Sequence, residues 1–141
     1  MIWFDFENAP HVLFWHPLIR YFQEMGMKVE LSARNFSYIC ELLGRSGLRY
    51  YLCRKGASNK GRYGKYANVL FRANELQGRV KRGSVDLAIS FGSRAQIIAS
   101  KLNGFPVVSS DDYEYAMPIR MLHKMCFCCG FHEEILNRKG G

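Results

Sequence analysis

Hydrophobic residues recur along the chain with two spacings in turn, first that of a strand and then that of an amphipathic helix. The first strand is predicted at residues 2–4, three consecutive apolar residues, and a polar elbow at 5–11 follows it. After Pro17, apolar residues recur at the spacing of an amphipathic helix, and Gly26 is placed to end that helix. The predicted apolar positions of this helix are Leu18, Ile19, Phe22 and Met25.

The same two spacings predict four further strands and three further helices. Because the links between them are short, the alternation implies a parallel α/β sheet with right-handed crossovers. The strands are predicted at 29–33, 49–53, 85–90 and 105–110, and the helices at 36–43, 63–81 and 95–102. The longest helix is predicted to bury a stripe of Tyr66, Val69, Leu70, Ala73, Leu76 and Val80.

Polar loops follow the first, fourth and fifth predicted strands. In a doubly wound sheet the first and fourth strands are neighbours at the switch point and the fifth lies beside the fourth, so these loops are predicted to converge on one edge. The candidate residues in the three loops are Asp5, Asn8 and His11, then Gly92, Ser93 and Arg94, then Asp111, Asp112 and Glu114.

Each loop has a functional and a purely structural interpretation. Asp5, Asn8 and His11 form a binding wall, or the first two brace and cap the turn while the histidine lies on the surface. The Gly92–Arg94 turn brings backbone N–H groups to a ligand, or Ser93 only caps the next helix. The clustered carboxylates at 111–114 are candidates for acid–base chemistry, or they form a solvated acidic loop that caps a helix beginning near 118.

The length and the net charge of the chain limit the classes of protein to which it can belong. The 141 residues suit one domain, and the net charge of +8 with a pI of about 9.4 favours anionic partners such as phosphates, nucleic acid or an acidic membrane surface. No run of 18 apolar residues and no signal-peptide pattern occur in the sequence, which predicts a cytoplasmic protein, with peripheral membrane association as an option. The motifs GxGxxG, Walker A and GxSxG are absent from their expected places, which argues against three common enzyme classes.

A basic segment spans residues 54–82, where Glu75 is the only acid. Its glycine-rich beginning is predicted to be a loop. Lys65, Arg72 and Arg79 recur every seven residues and are predicted to share a helix face apart from the apolar stripe. This face is either a solvated surface or a landing site for phosphate or an anionic lipid head group. The predicted anion-binding residues are Lys60, Arg62, Lys65 and Arg72.

The five cysteines do not form a disulfide framework, because three of them are crowded at Cys126, Cys128 and Cys129. Together with His123 and His132 they read H-x2-C-x-C-C-x2-H, which is not the spacing of a structural zinc site. We therefore predict a sixth buried strand here and no metal, and the sheet has five to six strands in total.

Four segments resemble a known family: IWFDFENAPHVLFWHPLI, LSARNF, AISFGSRA and SSDDYEYA. They resemble the amino-terminal half of the prokaryotic domain-of-unknown-function family numbered three hundred and fifty-four, which is similar to GT-B glycosyltransferases and UDP-N-acetylglucosamine 2-epimerase. The resemblance implies a Rossmann-like three-layer domain at 1–125 and a divergent tail at 126–141. It also implies that a second domain, which forms the opposing wall of the GT-B cleft, is missing.

The resemblance implies roles for individual residues. His11 matches a base or an oxyanion-contacting histidine after the first strand, the Gly92–Arg94 turn faces the nucleotide sugar, and Glu114 is an acidic residue of the cleft. Asp112 joins His11 and Glu114 as a candidate catalytic group. Asp5, Asn8 and Asp111 are candidate substrate-binding groups.

Three functions remain open from the sequence. The first is the acceptor-side domain of a nucleotide-sugar-dependent transferase or epimerase, inactive alone, with no tightly bound cofactor and with a carboxy-terminal domain or a homo-oligomer as partner. The second is a non-catalytic module that binds an anionic partner through residues 54–82, although no specific nucleic-acid motif is present. The third is a half-protein without activity, which predicts exposed apolar surface where the second domain would dock.

Overall fold

The protein alternates strands and helices from its first residues onward. The computed structural model describes residues 1–36, 38–53, 62–80, 83–111 and 125–128, without the side chains of residues 62, 63, 111 and 125–128. The strands are β1 (Ile2–Phe6), β2 (Val29–Arg34), β3 (Tyr51–Cys53), β4 (Leu87–Phe91), β5 (Val107–Asp111) and β6 (Met125–Cys128). The helices are α1 (Ala9–Glu24), α2 (Ile39–Arg45), α3 (Arg62–Arg79) and α4 (Arg94–Asn103).

The six strands form one parallel sheet in the order β3-β2-β1-β4-β5-β6. This doubly wound order confirms the prediction that the first and fourth strands are neighbours and that the fifth lies beside the fourth. The switch point, where the connections change direction, lies between β1 and β4. Beyond β5, the predicted sixth strand is confirmed, and its register places Asp111 opposite Cys128.

Every residue of β1 is buried, because helices cover both faces of the sheet. Phe4 and Phe6 pack on one side with residues of α1 and α2, such as Ile19 and Leu43. Trp3 packs on the other side with residues of α3 and α4. The sheet is therefore covered on both faces, as predicted for a three-layer α/β domain.

Two predicted boundaries around the first helix are wrong. Asp5 and Phe6 belong to β1 rather than to the elbow, and α1 begins at Ala9, so Pro17 lies inside the helix instead of before it. Pro10 occupies the first turn, where its missing N–H has no intrahelical partner to lose, and it starts the helix early. The helix ends as predicted, with Gly26 at φ 73°.

Parts of the predicted apolar stripes are solvent-exposed. The side chains of Ala73 and Leu76 in α3, and of Val80 directly after it, are buried as predicted, but Tyr66 and Leu70 are exposed. Met25 and Leu102 are exposed as well. The predicted stripe is therefore exposed at Tyr66 and Leu70, although Val69 between them packs against the core.

The described ranges contain neither a membrane-spanning helix nor a side-chain cluster suited to a metal ion. None of the helices there combines the length and apolarity needed to cross a bilayer. No group of three or more His, Cys, Asp or Glu side chains in those ranges is arranged to hold a metal ion. Cys129, His123 and His132 lie outside the described residues.

Candidate functional site

Two helix amino termini meet the carboxyl edge of the sheet at the switch point. Helix α1 follows β1 after two residues, and α4 follows β4 after two residues. In open parallel sheets this crevice is where ligands bind, and helix amino termini supply unpaired N–H groups and partial positive charge there. The loops after β1 and β4 are therefore brought together as predicted. Most of the loop after β5 lies outside the described residues.

A buried carboxylate stands at the centre of this edge. Asp5 is 0% exposed and lies in register with Ser32 of β2 and Ser90 of β4. Ser32 Oγ donates to Asp5 Oδ1 and accepts a 2.9 Å hydrogen bond from Trp3 Nε1. The hydroxyl of Ser93 donates to Asp5 Oδ2. A carboxylate so far from water requires both hydrogen bonds and a cation to remain charged.

The cation is Arg72, which reaches the network from the middle of α3. Its NH2 nitrogen lies 2.7 and 2.8 Å from the two oxygens of Asp5, and its NH1 nitrogen lies 2.8 Å from Glu7 Oε1. Burial lowers the pKa of the guanidinium, but the Asp5 and Glu7 carboxylates outweigh burial and raise it, so Arg72 is permanently charged. The arginine thus ties α3 to the end of β1.

Cys53 lies beside Arg72 at the end of β3. Burial raises the pKa of its thiol to about 11, an effect that the Arg72 charge only partly offsets. The thiol is therefore protonated at neutral pH. Because the thiolate is the reactive and metal-binding form, Cys53 is an inert core residue.

Glu7 is the one carboxylate of this network that meets solvent, with 24% of its side chain exposed. Its Oε1 accepts from Arg72 NH1 and lies 3.4 Å from Ser93 Oγ. Burial raises the pKa of Glu7, the Arg72 charge lowers it, and the Asp5 charge raises it again, with a net increase. A carboxyl group with a raised pKa at the edge of a cleft is a candidate for proton transfer.

The pH dependence of stability follows from this direction. Because the pKa of Glu7 is raised above its ordinary value of 4.5, the folded state holds the proton at pH values where the unfolded chain has lost it. The stability from Glu7 is therefore full below about pH 4.5 and is lost as the pH rises through the folded-state pKa. We expect Glu7→Gln to show a smaller decline in the free energy of unfolding over that window, measured by urea denaturation at a series of pH values. Glu24→Gln, an exposed control on α1, should decline like the parent, and a steeper decline in Glu7→Gln would contradict the prediction.

His11 lies in the first turn of α1 and faces the end of β4. Its ring stacks on Phe91 with centroids 4.5 Å apart and an interplanar angle of 24°. Phe14, one turn further along α1, meets the same Phe91 ring edge-on at 5.6 Å. The imidazole is therefore held at the carboxyl edge by aromatic packing, close to the loop that carries Ser93.

The turn after β4 is engaged within the protein. Gly92 adopts φ 62°, and its N–H donates to Ser109 Oγ of β5 at 3.3 Å. Ser93 is the amino-terminal cap of α4, since its hydroxyl accepts from the Gln96 N–H at 3.2 Å. The predicted capping function of Ser93 is present, and the Gly92 amide that was expected to meet a ligand already has a partner. Arg94, the next residue, is exposed.

Asn8 occupies the amino-terminal cap position of α1, yet its side chain makes no capping hydrogen bond and is exposed. The capping interpretation of Asn8 is therefore wrong, and the side chain faces solvent beside the site. Asp5 does brace the edge, as the structural alternative predicted. Of the remaining predicted site residues, Lys60, Asp112 and Glu114 lie outside the described residues, as do the side chains of Arg62 and Asp111, and Lys65 is exposed.

The prediction that Arg72 shares an exposed basic face is wrong, because its side chain is only 8% exposed. Of the basic residues spaced seven apart in α3, Arg72 points toward the sheet. Seven residues later, the guanidinium of Arg79 lies 4.8 Å from the centre of the Tyr51 ring of β3. Arg72 is thus paired with Asp5 and Glu7 and is unavailable to bind an external anion. A carboxylate inside a buried strand needs a partner of opposite charge, but the sequence pattern placed Asp5 in the elbow and so gave no signal for Arg72.

The fold matches solved structures of larger proteins. A UDP-N-acetylglucosamine 2-epimerase matches with a TM-score of 0.71 at 12% identity, over 99% of this chain and 45% of its own. The UDP-GlcNAc 2-epimerase of Neisseria meningitidis, bound to UDP-GlcNAc, gives 0.67 and 13%, over 86% and 38%. MurG of Acinetobacter baumannii gives 0.64 and 14%, over 89% and 41%. These matches confirm the predicted Rossmann-like fold of the amino-terminal half of GT-B proteins, and the chain spans less than half the length of each.

The comparison with protein families gives a match over most of the chain. A protein-family model described as "Protein of unknown function (DUF354)" matches residues 1–118. Among curated proteins no sequence matches the chain.

Proposed function

Because the chain belongs to the DUF354 family and has the fold of a GT-B amino-terminal domain, we propose that it is the acceptor-side domain of a nucleotide-sugar-dependent transferase or epimerase. The observation that carries this proposal is the convergence of Glu7, His11 and Ser93 at the switch point of the sheet. Ligands of open α/β sheets bind at this position. In the proposal the protein works without a tightly bound cofactor.

His11 is the proposed base. An imidazole titrates near neutrality and accepts a hydroxyl proton when it is held within hydrogen-bonding reach. Stacking on Phe91 restricts the ring to the edge of the cleft, which supports this role. The exposed Asn8 and Arg94 are the proposed ligands for polar groups of the substrate. Asp111, Asp112 and Glu114 follow β5 in sequence and remain proposed members of the same site.

A second domain is proposed to complete the cleft. The chain spans 38–45% of the structures described above, and those proteins therefore contain as much chain again. Large apolar side chains are exposed on the helices that border the site, among them Phe14 on α1 and Phe71 on α3. Contiguous exposed apolar surface is typical of an interface that another protein surface covers. The chain alone is accordingly proposed to bind its ligand weakly and to lack turnover.

Ligand titration of the chain followed by nuclear magnetic resonance tests this proposal. We expect N-acetylglucosamine and UDP-GlcNAc at millimolar concentration to shift backbone amide signals at 7–14 and 91–97, while signals at the opposite end of the sheet, such as Val85 and Phe105, remain unchanged. His11→Ala should weaken the binding of UDP-GlcNAc about ten-fold, the loss of one charge-assisted or strongly oriented hydrogen bond.

His16→Ala is the matched control for the titration. His16 is on the same helix but lines a groove between α1 and α2 with Arg20 and Arg45. Its removal should leave affinity unchanged. An absence of shifts at the carboxyl edge, or shifts confined to the groove, would overturn the proposed site.

The alternative function, binding of an anionic partner through residues 54–82, has little support within the described residues. Arg72 is buried in ion pairs, whereas Lys65 and Arg79 are exposed, Arg79 with its guanidinium over the Tyr51 ring. Residues 54–61 lie outside the described ranges. No specific observation favours this alternative over the nucleotide-sugar function.

A further inference from the structure

The buried network at the carboxyl edge has no spare positive charge. It contains two carboxylates, Asp5 and Glu7, and one guanidinium, Arg72. Both terminal nitrogens of Arg72 already donate to these carboxylates, and NH1 also lies 3.3 Å from Ser93 Oγ. A phosphate placed here would meet carboxylate charge, while NH1 and NH2 of Arg72 are already engaged and its Nε is buried within the protein, which is unfavourable at short range.

Glu7 is at the same time well placed to bind an uncharged polar group. The hydrogen bonds of its side chain with the described part of the protein all fall on Oε1. Its side chain is partly exposed, whereas that of Asp5 is fully buried. The charged groups that face it are Asp5 of β1, Arg34 of β2 and Arg72 of α3. Oε2 of Glu7 is therefore the carboxylate oxygen of this network that makes no hydrogen bond with the described residues, and it belongs to the side chain that reaches solvent.

We propose that Glu7 binds a hydroxyl group of an uncharged sugar, and that the phosphate-bearing part of any ligand lies away from it. The inference rests on the proposed function and specifies which part of the substrate occupies this point of the cleft. A carboxylate that accepts a hydrogen bond from a hydroxyl forms one of the stronger neutral–ionic hydrogen bonds in proteins. Arg72 and Ser93 are positioning residues, since they hold Oε1 and so orient Oε2.

The inference is tested by comparing a sugar with a nucleotide on the same variant. Glu7→Gln keeps the shape of the side chain but removes its charge. We expect this substitution to weaken the binding of N-acetylglucosamine by about 10-fold to 100-fold, the range for a hydrogen bond to a charged group. The binding of UDP should change by less than about two-fold. Glu24→Gln, an exposed glutamate on α1, is the matched control and should change neither ligand.

A pH series separates ligand binding from a merely structural effect. The ratio of parent to Glu7→Gln affinity for N-acetylglucosamine should rise with pH as Glu7 loses its proton, because the carboxylate is the accepting form. Thermal unfolding of Glu7→Gln establishes that the variant is folded.

Two patterns would overturn the inference while leaving the proposed function intact: equal weakening of sugar and UDP, or binding of both ligands at the carboxyl edge without any effect of Glu7→Gln. If neither ligand binds at that edge, the proposed function is overturned, and the inference with it.

Discussion

Replacing Arg72 with methionine is expected to lower the free energy of unfolding by about 3–5 kcal/mol. The substitution keeps the unbranched stem of the side chain but removes the guanidinium, which leaves the Asp5 carboxylate, 0% exposed, without its cation. An uncompensated buried charge costs this much, which is a large part of the stability of an ordinary domain. Urea denaturation at neutral pH, followed by tryptophan fluorescence and circular dichroism, measures the change.

A double-mutant cycle attributes the loss to the ion pair. Asp5→Asn in the Arg72→Met background removes the unpaired charge, so the double variant should be more stable than Arg72→Met alone, with a coupling energy of about 2 kcal/mol or more. Arg45→Met is the matched control, because Arg45 pairs with Glu41 on the exposed face of α2 at 2.8 Å. Exposed pairs contribute less than about 1 kcal/mol. Additive effects in the cycle, or similar losses in Arg72→Met and Arg45→Met, would contradict the buried-pair account.

Replacing Phe4 with alanine is expected to cost about 3–5 kcal/mol through loss of apolar contacts and creation of a cavity. Phe4 is fully buried in β1, and its ring packs against Trp15 and Phe22 of α1 with centroids 5.9 and 6.3 Å away. Phe14→Ala on α1 is the control, since Phe14 is 51% exposed and its replacement should cost about 1 kcal/mol. The same urea experiment compares them, and comparable losses would mean that Phe14 is covered in solution.

The order of strands and helices was predictable from periodicity alone. Apolar runs bounded by glycine gave the alternation, and short links required parallel strands with right-handed crossovers. The placement of β1 beside β4 followed from this topology. The boundaries were less predictable, because the aspartate at position 5 looked like the start of a loop. Its burial extends β1 by two residues beyond the predicted end.

The candidate site was predictable only in part. The loops containing Asp5, His11 and Ser93 were expected at one edge, and the structure places these three residues there. The roles of Glu7 and Arg72 were missed. The two residues are 65 positions apart in sequence, and no local spacing relates them. Basic residues spaced seven apart have the same sequence pattern whether they all face solvent or one of them pairs with a buried carboxylate.

The sequence by itself determined the α/β class, the doubly wound order and the edge at which the polar loops meet, because these depend on local periodicity and on the chirality of chain connections. Only the tertiary structure decided which charges are buried and paired. Asp5 and Arg72 face each other because α3 packs across the β1 end of the sheet, and that packing converts a residue predicted to bind external anions into the internal partner of a carboxylate. Charge pairing across layers depends on distances in space, which a linear pattern does not contain.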